Sequence, residues 1–355
     1  MTLVAPPWTE AVDEALDWAQ RRILLLASVT PENFGDCVTR LTRRLGGGGQ
    51  QHQPRYRPTL LEDPRPLLDR VDDALSSMSD PLAVLYRERT HELHLEATLA
   101  RTAGKPTFGE VAARRFAANG EVEPLVDSWL REPDAAWDTA APVQSDDASS
   151  PKSLLSRLRA EVGRRRLPYR VEVVPGLASF AATGADAVYV APDVPLTPVA
   201  SHRTAVHEVE GHVMPRCRAR GGPGLLRIGT ARGSDTQEGW ALVVEDRHGW
   251  LRGLRRRELA RRHRAATTMM SGANAVETAR TLVGLGCEIE SAARITLRVF
   301  RGAGTTGRGL GREVAYLPAY MSVRAELTRA PELEAVITAG QVSIVASAAL
   351  RPYLV

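Results

Sequence analysis

The chain has few aromatic residues, few cysteines and no long apolar run, and each shortage removes a class of protein. No stretch of eighteen apolar residues occurs, so a membrane-spanning helix is not expected. The first twenty residues carry Glu10, Asp13, Glu14 and Asp17, which is not the pattern of a secretory leader. Three cysteines, Cys37, Cys217 and Cys287, form neither a paired framework nor zinc-knuckle spacing, and a reducing, cytoplasmic setting is expected. Aromatics make up only 5% of the chain, and none interleaves with the arginine runs at 164–166 and 255–257. Those runs therefore read as solvated helix faces rather than a nucleic-acid surface. No internal repeat is visible.

What is present is a chain of 355 residues with 43% apolar content, enough for one large or two moderate domains. The net charge of +4 and pI near 9.2 come mainly from arginine, with acidic residues almost as numerous. Apolar periodicity marks helices over 11–26, 67–75 and 82–99, so residues 1–140 read as a helical N-terminal part. Residues 141–151 are a polar loop or linker. Residues 152–355 form the remaining core: a helix from Leu154, strands at 169–174 and 188–190, helices from Arg252 to Phe300, and a glycine-rich loop over 302–311. The fold class is α+β and mostly helical, with a small sheet beside the helix described next. Val188–Val190 is the candidate edge strand for pairing an extended peptide, although a buried middle strand fits the pattern nearly as well.

The chemistry-bearing feature is His207-Glu208-Val209-Glu210-Gly211-His212, followed by Gln237-Glu238-Gly239-Trp240. A catalytic zinc takes three His, Glu or Cys ligands and keeps one position for water, whose pKa it lowers to near neutrality. His207, His212 and Glu238 supply such a set for one zinc ion. Glu208, beside the first ligand, is placed to accept a proton from the water and pass it to a leaving amine. The spacing is unusual. Histidines at i and i+4 lie roughly 40° apart on a helix, whereas i and i+5 lie roughly 140° apart and cannot reach one ion. A widened π-type turn over 208–212 restores one face, and Gly211 lowers its cost. The Thr197-Pro198 pair predicts the helix start and Pro215 its end, about sixteen residues in all. Ser234-x-x-Gln237 has the form of a capping box, which places Glu238 in the first turn of its helix. Glu245 is the reserve candidate for third ligand. His91 and His94, at i and i+3, read as an ordinary helix surface, and His202 and His248 as incidental.

The two motifs together resemble those of the metallopeptidase family that includes the microtubule-associated tyrosine carboxypeptidases, with Trp240 where that family has leucine. The segment Leu24-Leu25-Leu26 with Pro31 and Asn33, the run Leu85-Tyr86-Arg87-Glu88, the run Arg298 to Gly302, and Tyr316-Leu317 also fit, so the resemblance covers most of the chain. It implies His207, His212 and Glu238 as zinc ligands and Glu208 as catalytic acid/base. Where the family has Lys-Asp before the late tyrosine, this chain has Arg312-Glu313. The function expected is a zinc metallopeptidase of carboxypeptidase type, acting on a peptide or protein C-terminus, with neither nucleic acid nor membrane as partner. Carboxypeptidase action is implied by the resemblance alone. Tyr316 is the candidate oxyanion donor, with Tyr320 behind it. Arg312 and Arg298, with Arg301 behind them, are the candidates for clamping a substrate carboxylate. The alternatives are a zinc hydrolase acting on a small amide or peptide natural-product precursor, and an inactive zinc-containing scaffold that binds peptide.

Overall fold

The computed structural model describes residues 6–50, 53–57, 62–118, 120–133, 139–220, 222–304 and 307–351. These fall into two compact units. Gly221 and the loop residues Thr305 and Thr306 lie outside the described set.

The first unit comprises Met1–Pro6, Glu132–Arg256 and Ala319–Val355. It holds the five strands found among the described residues. β1 (Val143–Gln144) pairs antiparallel with β5 (Pro195–Leu196). β2 (Arg170–Val173), β3 (Ala181–Thr183) and β4 (Ala187–Val190) form a sheet in the order β2-β4-β3, with β4 parallel to β2 and antiparallel to β3. The segment read as a polar linker carries β1 and the buried Ser145, whose N–H donates to Val194 O at 2.8 Å and whose hydroxyl donates to Ala191 O at 2.6 Å.

Helix α1 (Leu154–Arg164) starts at Ser153, whose hydroxyl accepts from the Ser156 N–H. Its Leu154, Leu155, Leu158 and Val162 recur at helical spacing and pack with Val188 and Val190 of β4 and with Ala205, Val209 and Val213. Val188 and Val190 are fully buried, which is why their run is almost wholly apolar. The expected edge strand at Val188–Val190 is therefore the middle strand, and β3 is an edge. The all-apolar run already suited a middle strand; β3 itself escaped notice because it has only three residues, Ala-Ala-Thr, without a β-branched run.

The second unit, Pro7–Arg131 and Arg257–Pro318, contains no strand among the described residues. The helices expected over 67–75 and 82–99 lie within Arg65–Ser76 and Pro81–Thr102. The helix expected over 11–26 is broken: Thr9–Arg22 ends as Ile23 leaves helical backbone with ψ 84°, and Leu25–Val29 follows. The core gathers Leu99, Phe108, Phe116, Met269, Leu282, Val299 and Leu310. A side chain at Gly302, with φ +79°, would overlap the Phe108 ring at 2.0 Å, so glycine is required twice over. His91 pairs with Asp72 and His94 with Asp69, as expected of a polar helix surface. Among the described residues no helix is long and apolar enough to cross a membrane.

Candidate metal centre

The centre lies in the first unit. α2 (Pro198–Val206) begins with Thr197 Oγ1 accepting from the Ala200 N–H at 3.2 Å and with proline in the first turn. It passes directly into a π-helical segment, His207–Val213, in which the wider turn predicted from the i, i+5 spacing is present. The Met214 N–H reaches back five residues to Val209 O. The His207 and His212 rings come to a centroid separation of 5.3 Å instead of diverging. Pro215 does not end the helix, as the sequence had implied. It sits in the first turn of α3 (Met214–Ala219), where a missing N–H and a fixed φ are tolerated.

Glu238 comes from α4 (Gly233–Arg247). This helix lacks the expected Ser234 cap, for it opens two residues earlier, behind Arg232 in the left-handed region (φ 58°), with no side-chain cap bond. The reason is tertiary: a Cβ on Gly233 would lie 1.9 Å from Gln341 O, so backbone packing sets the start. Glu238 thus stands in the second turn rather than the first. α4 is buried on nearly every side, and glycines make its close contacts. A Cβ on Gly211 would come within 2.5 Å of Ala241 Cβ, and one on Gly239 within 2.5 Å of the Ala319 carbonyl.

Glu238 Oε2 lies 3.8 Å from His207 Nε2 and 3.9 Å from His212 Nε2. Ligand atoms of the three residues all fall within 4.8 Å of one another. Bonds of about 2.1 Å at tetrahedral angles put ligand atoms about 3.4 Å apart, so a contraction of a few tenths of an ångström at the nearest atoms suits a divalent ion. This group can hold a metal ion.

The outer contacts fit the same purpose. Glu245, fully buried, receives the His207 Nδ1–H on Oε1 at 2.7 Å. It also receives Arg255 Nη2–H on Oε1 at 2.7 Å and Arg255 Nε–H on Oε2 at 2.8 Å, with Arg203 Nε 3.8 Å away. A carboxylate can only accept, so Nδ1 carries the proton, and in the neutral ring Nε2, on the Glu238 side, has the lone pair. Glu245, the reserve candidate for third ligand, thus holds the far side of the His207 ring and lies outside the group formed by His207, His212 and Glu238. Its burial pushes its pKa up, but the charge of Arg255 and its bonds to His207 and Arg255 prevail and hold it well below the ordinary glutamate range. Burial pulls His207 down, yet the Glu245 bond and the charges of Glu245, Glu208 and Glu238 outweigh it and raise its pKa. For His212 burial wins over Glu238 and Glu208 and lowers the pKa, keeping that ring neutral.

Glu208 is 7% exposed, and its Oε2 accepts from the Thr183 hydroxyl of β3 at 2.7 Å. Thr183 and Arg203 escaped the sequence reading, and Arg255, read there as part of a solvated helix face, is instead buried and paired with Glu245. Nothing local marks them, although Glu238 and Glu245 are seven residues apart and so share a helix face, which is a usable signal.

The other expected site residues belong mostly to the second unit, where they form one polar cluster. Arg298 donates from Nε to Glu313 Oε1 at 2.9 Å and from Nη2 to the Tyr316 hydroxyl at 3.2 Å. Arg312 lies over the Tyr316 ring at 5.8 Å. Arg301 donates to Arg298 O at 2.9 Å and faces Glu313 at 3.4 Å. Burial lowers the Arg301 pKa to about 10 despite Glu313. Tyr320, in the first unit, is committed to Asp246 at 2.8 Å and Arg324 at 3.0 Å.

No curated protein and no solved structure shows significant similarity to the chain. A family model does match, over residues 49–354, a span that includes both ligand-bearing segments and the Arg298–Tyr316 cluster. With that match extending over most of its length, the chain belongs to the microtubule-associated tyrosine carboxypeptidase family.

Proposed function

We propose that the chain is a zinc-dependent carboxypeptidase that hydrolyses the last peptide bond of a protein tail, with a C-terminal tyrosine the first substrate to test. The observation that carries this reading is the convergence of His207 Nε2, His212 Nε2 and Glu238 Oε2, with Glu208 held beside them. Zinc is assigned on donor type, two imidazoles and one carboxylate with a histidine oriented from behind. When bound, the ion polarises the scissile carbonyl and makes water nucleophilic near neutral pH.

The chain's own residues do the rest. Glu208 takes a proton from the attacking water and delivers it to the leaving amine. Thr183 fixes the Glu208 carboxylate so that the same oxygen faces the reacting atoms at each transfer. Glu245 keeps the His207 ring from rotating. For the second-unit cluster the support is the family position of its residues. Tyr316 is assigned as donor to the developing oxyanion and Arg312 as the group that binds the substrate's terminal carboxylate. Arg298, shared between Glu313 and Tyr316, is assigned to orienting Tyr316 as well as to the carboxylate. The unpaired thiols of Cys37, Cys217 and Cys287 suit the cytoplasmic setting expected from the sequence.

The test is metal analysis of the purified chain together with mass spectrometry of peptides ending in tyrosine, with free and amidated C-termini. Free peptides are expected to lose their last residue while amidated ones stay intact. Glu208→Gln should retain the metal and lose roughly 100-fold or more in turnover. A wild-type chain that holds zinc and binds such peptides but releases nothing would be a scaffold. Equal cleavage of amidated peptides would remove the carboxypeptidase assignment.

A further inference from the structure

The π-helical segment has a defect at its C-terminal end that a distant side chain repairs. In the five-residue register Met214 N–H bonds Val209 O. The next donor in that register would be residue 215, and Pro215 has no N–H to give. Glu210 O is thereby left without its backbone donor, at a place where Gly211, Val213 and Pro215 are all buried. A buried carbonyl without a partner is costly. The partner is the indole of Trp240, whose Nε1–H donates to Glu210 O at 3.2 Å. Trp240 is itself 7% exposed, and it sits on α4 between Glu238 and Ala241, the residue that packs on Gly211.

We propose that Trp240 is a positioning residue for the metal centre: its indole N–H replaces the donor that Pro215 lacks and so holds the π-turn that brings His207 and His212 together. Volume alone does not account for tryptophan here. Leucine, which stands at this place in the motif that the chain resembles, or phenylalanine would fill space, but neither offers a donor. One hydrogen bond ties α4, which supplies Glu238, to the turn that supplies both histidines. The proposal rests on the metal-centre reading for its consequence, not for its geometry.

A double-mutant cycle on the full chain tests it, with zinc affinity read by chelator competition and amide hydrogen exchange of residues 211–214 read on the metal-free protein. Trp240→Phe should weaken zinc by about tenfold, within the range for an outer-contact defect, and lower protection of those amides. Pro215→Ala supplies an N–H in the same register and should leave both readouts near wild type. In the double variant the loss from Trp240→Phe should shrink to about threefold or less relative to Pro215→Ala, the non-additivity of a shared partner. Should Trp240→Phe fail to fold, recovery of folded, zinc-binding protein in the double variant supports the proposal equally. Wild-type affinity and protection in Trp240→Phe, or the same loss in both backgrounds, overturns it. A wild-type chain that binds no zinc would defeat the metal reading, while the exchange cycle still decides the role of Trp240.

Discussion

Replacing Glu245 by glutamine is expected to damage the protein twice, once in stability and once in metal binding. The carboxylate is fully buried and accepts three hydrogen bonds, one from His207 and two from Arg255. Glutamine has one accepting oxygen and one donating nitrogen. If its oxygen takes the Oε1 place, the amide N–H₂ faces the Arg255 Nε–H; turned the other way, it faces both the His207 Nδ1–H and the Arg255 Nη2–H. Either way at least one donor meets a donor, and Arg255, 9% exposed, loses the Glu245 charge it pairs with. Breaking a buried pair by removing one partner costs about 3–5 kcal/mol, and loss of the group that orients a ligating histidine weakens metal roughly 10- to 100-fold. Denaturant unfolding of the metal-free protein and chelator competition measure the two effects separately. The pH profile gives a third check. Because Glu245 is depressed below its ordinary 4.5 in the folded chain, its stabilisation is present above that value and is lost as pH falls through the depressed one. The variant's acid limb should accordingly be shallower than wild type's. Wild-type stability and metal affinity in Glu245→Gln would refute the reasoning.

Gly211→Ala is expected to cost about 1–3 kcal/mol and to weaken metal binding, because the new methyl would meet Ala241 Cβ at 2.5 Å; Ala241→Gly should restore both, and a Gly211→Ala chain with unchanged affinity would show that the contact is slack. Thr183→Val removes the donor to Glu208 while keeping the side-chain shape. Peptide turnover should fall by about tenfold with metal content unchanged, and Thr183→Ser should recover it. Equal loss in the valine and serine variants would mean that Thr183 acts through strand packing instead.

Much of the centre was legible because it depends on local geometry. The ligand types, their i, i+5 spacing and Gly211 demanded a widened turn, since a regular 3.6-residue helix sends the two rings apart. The turn is where the spacing put it. Helices with clear apolar periodicity, such as those over 67–75 and 82–99, followed for the same reason. The mistaken readings were local signals overruled from afar. Ser234 has the sequence of a cap, but the Gln341 carbonyl against Gly233 fixes where that helix begins. Pro215 looks like a terminator, but at the junction of a π and an α segment its missing N–H is covered by Trp240.

The sequence by itself determined which side chains make the centre and the shape of the turn that carries two of them, because residues five apart are bound by backbone geometry. Only the tertiary structure decided that Glu245 accepts from His207, that Thr183 donates to Glu208, that β4 is the middle strand and β3 an edge, and that Arg298 bridges Glu313 and Tyr316 with Arg312 over the Tyr316 ring. Those pairings join residues from separate elements or from distant turns, with no periodic signal to announce them. They exist because a buried carboxylate or carbonyl must find a donor among whatever the packing brings near.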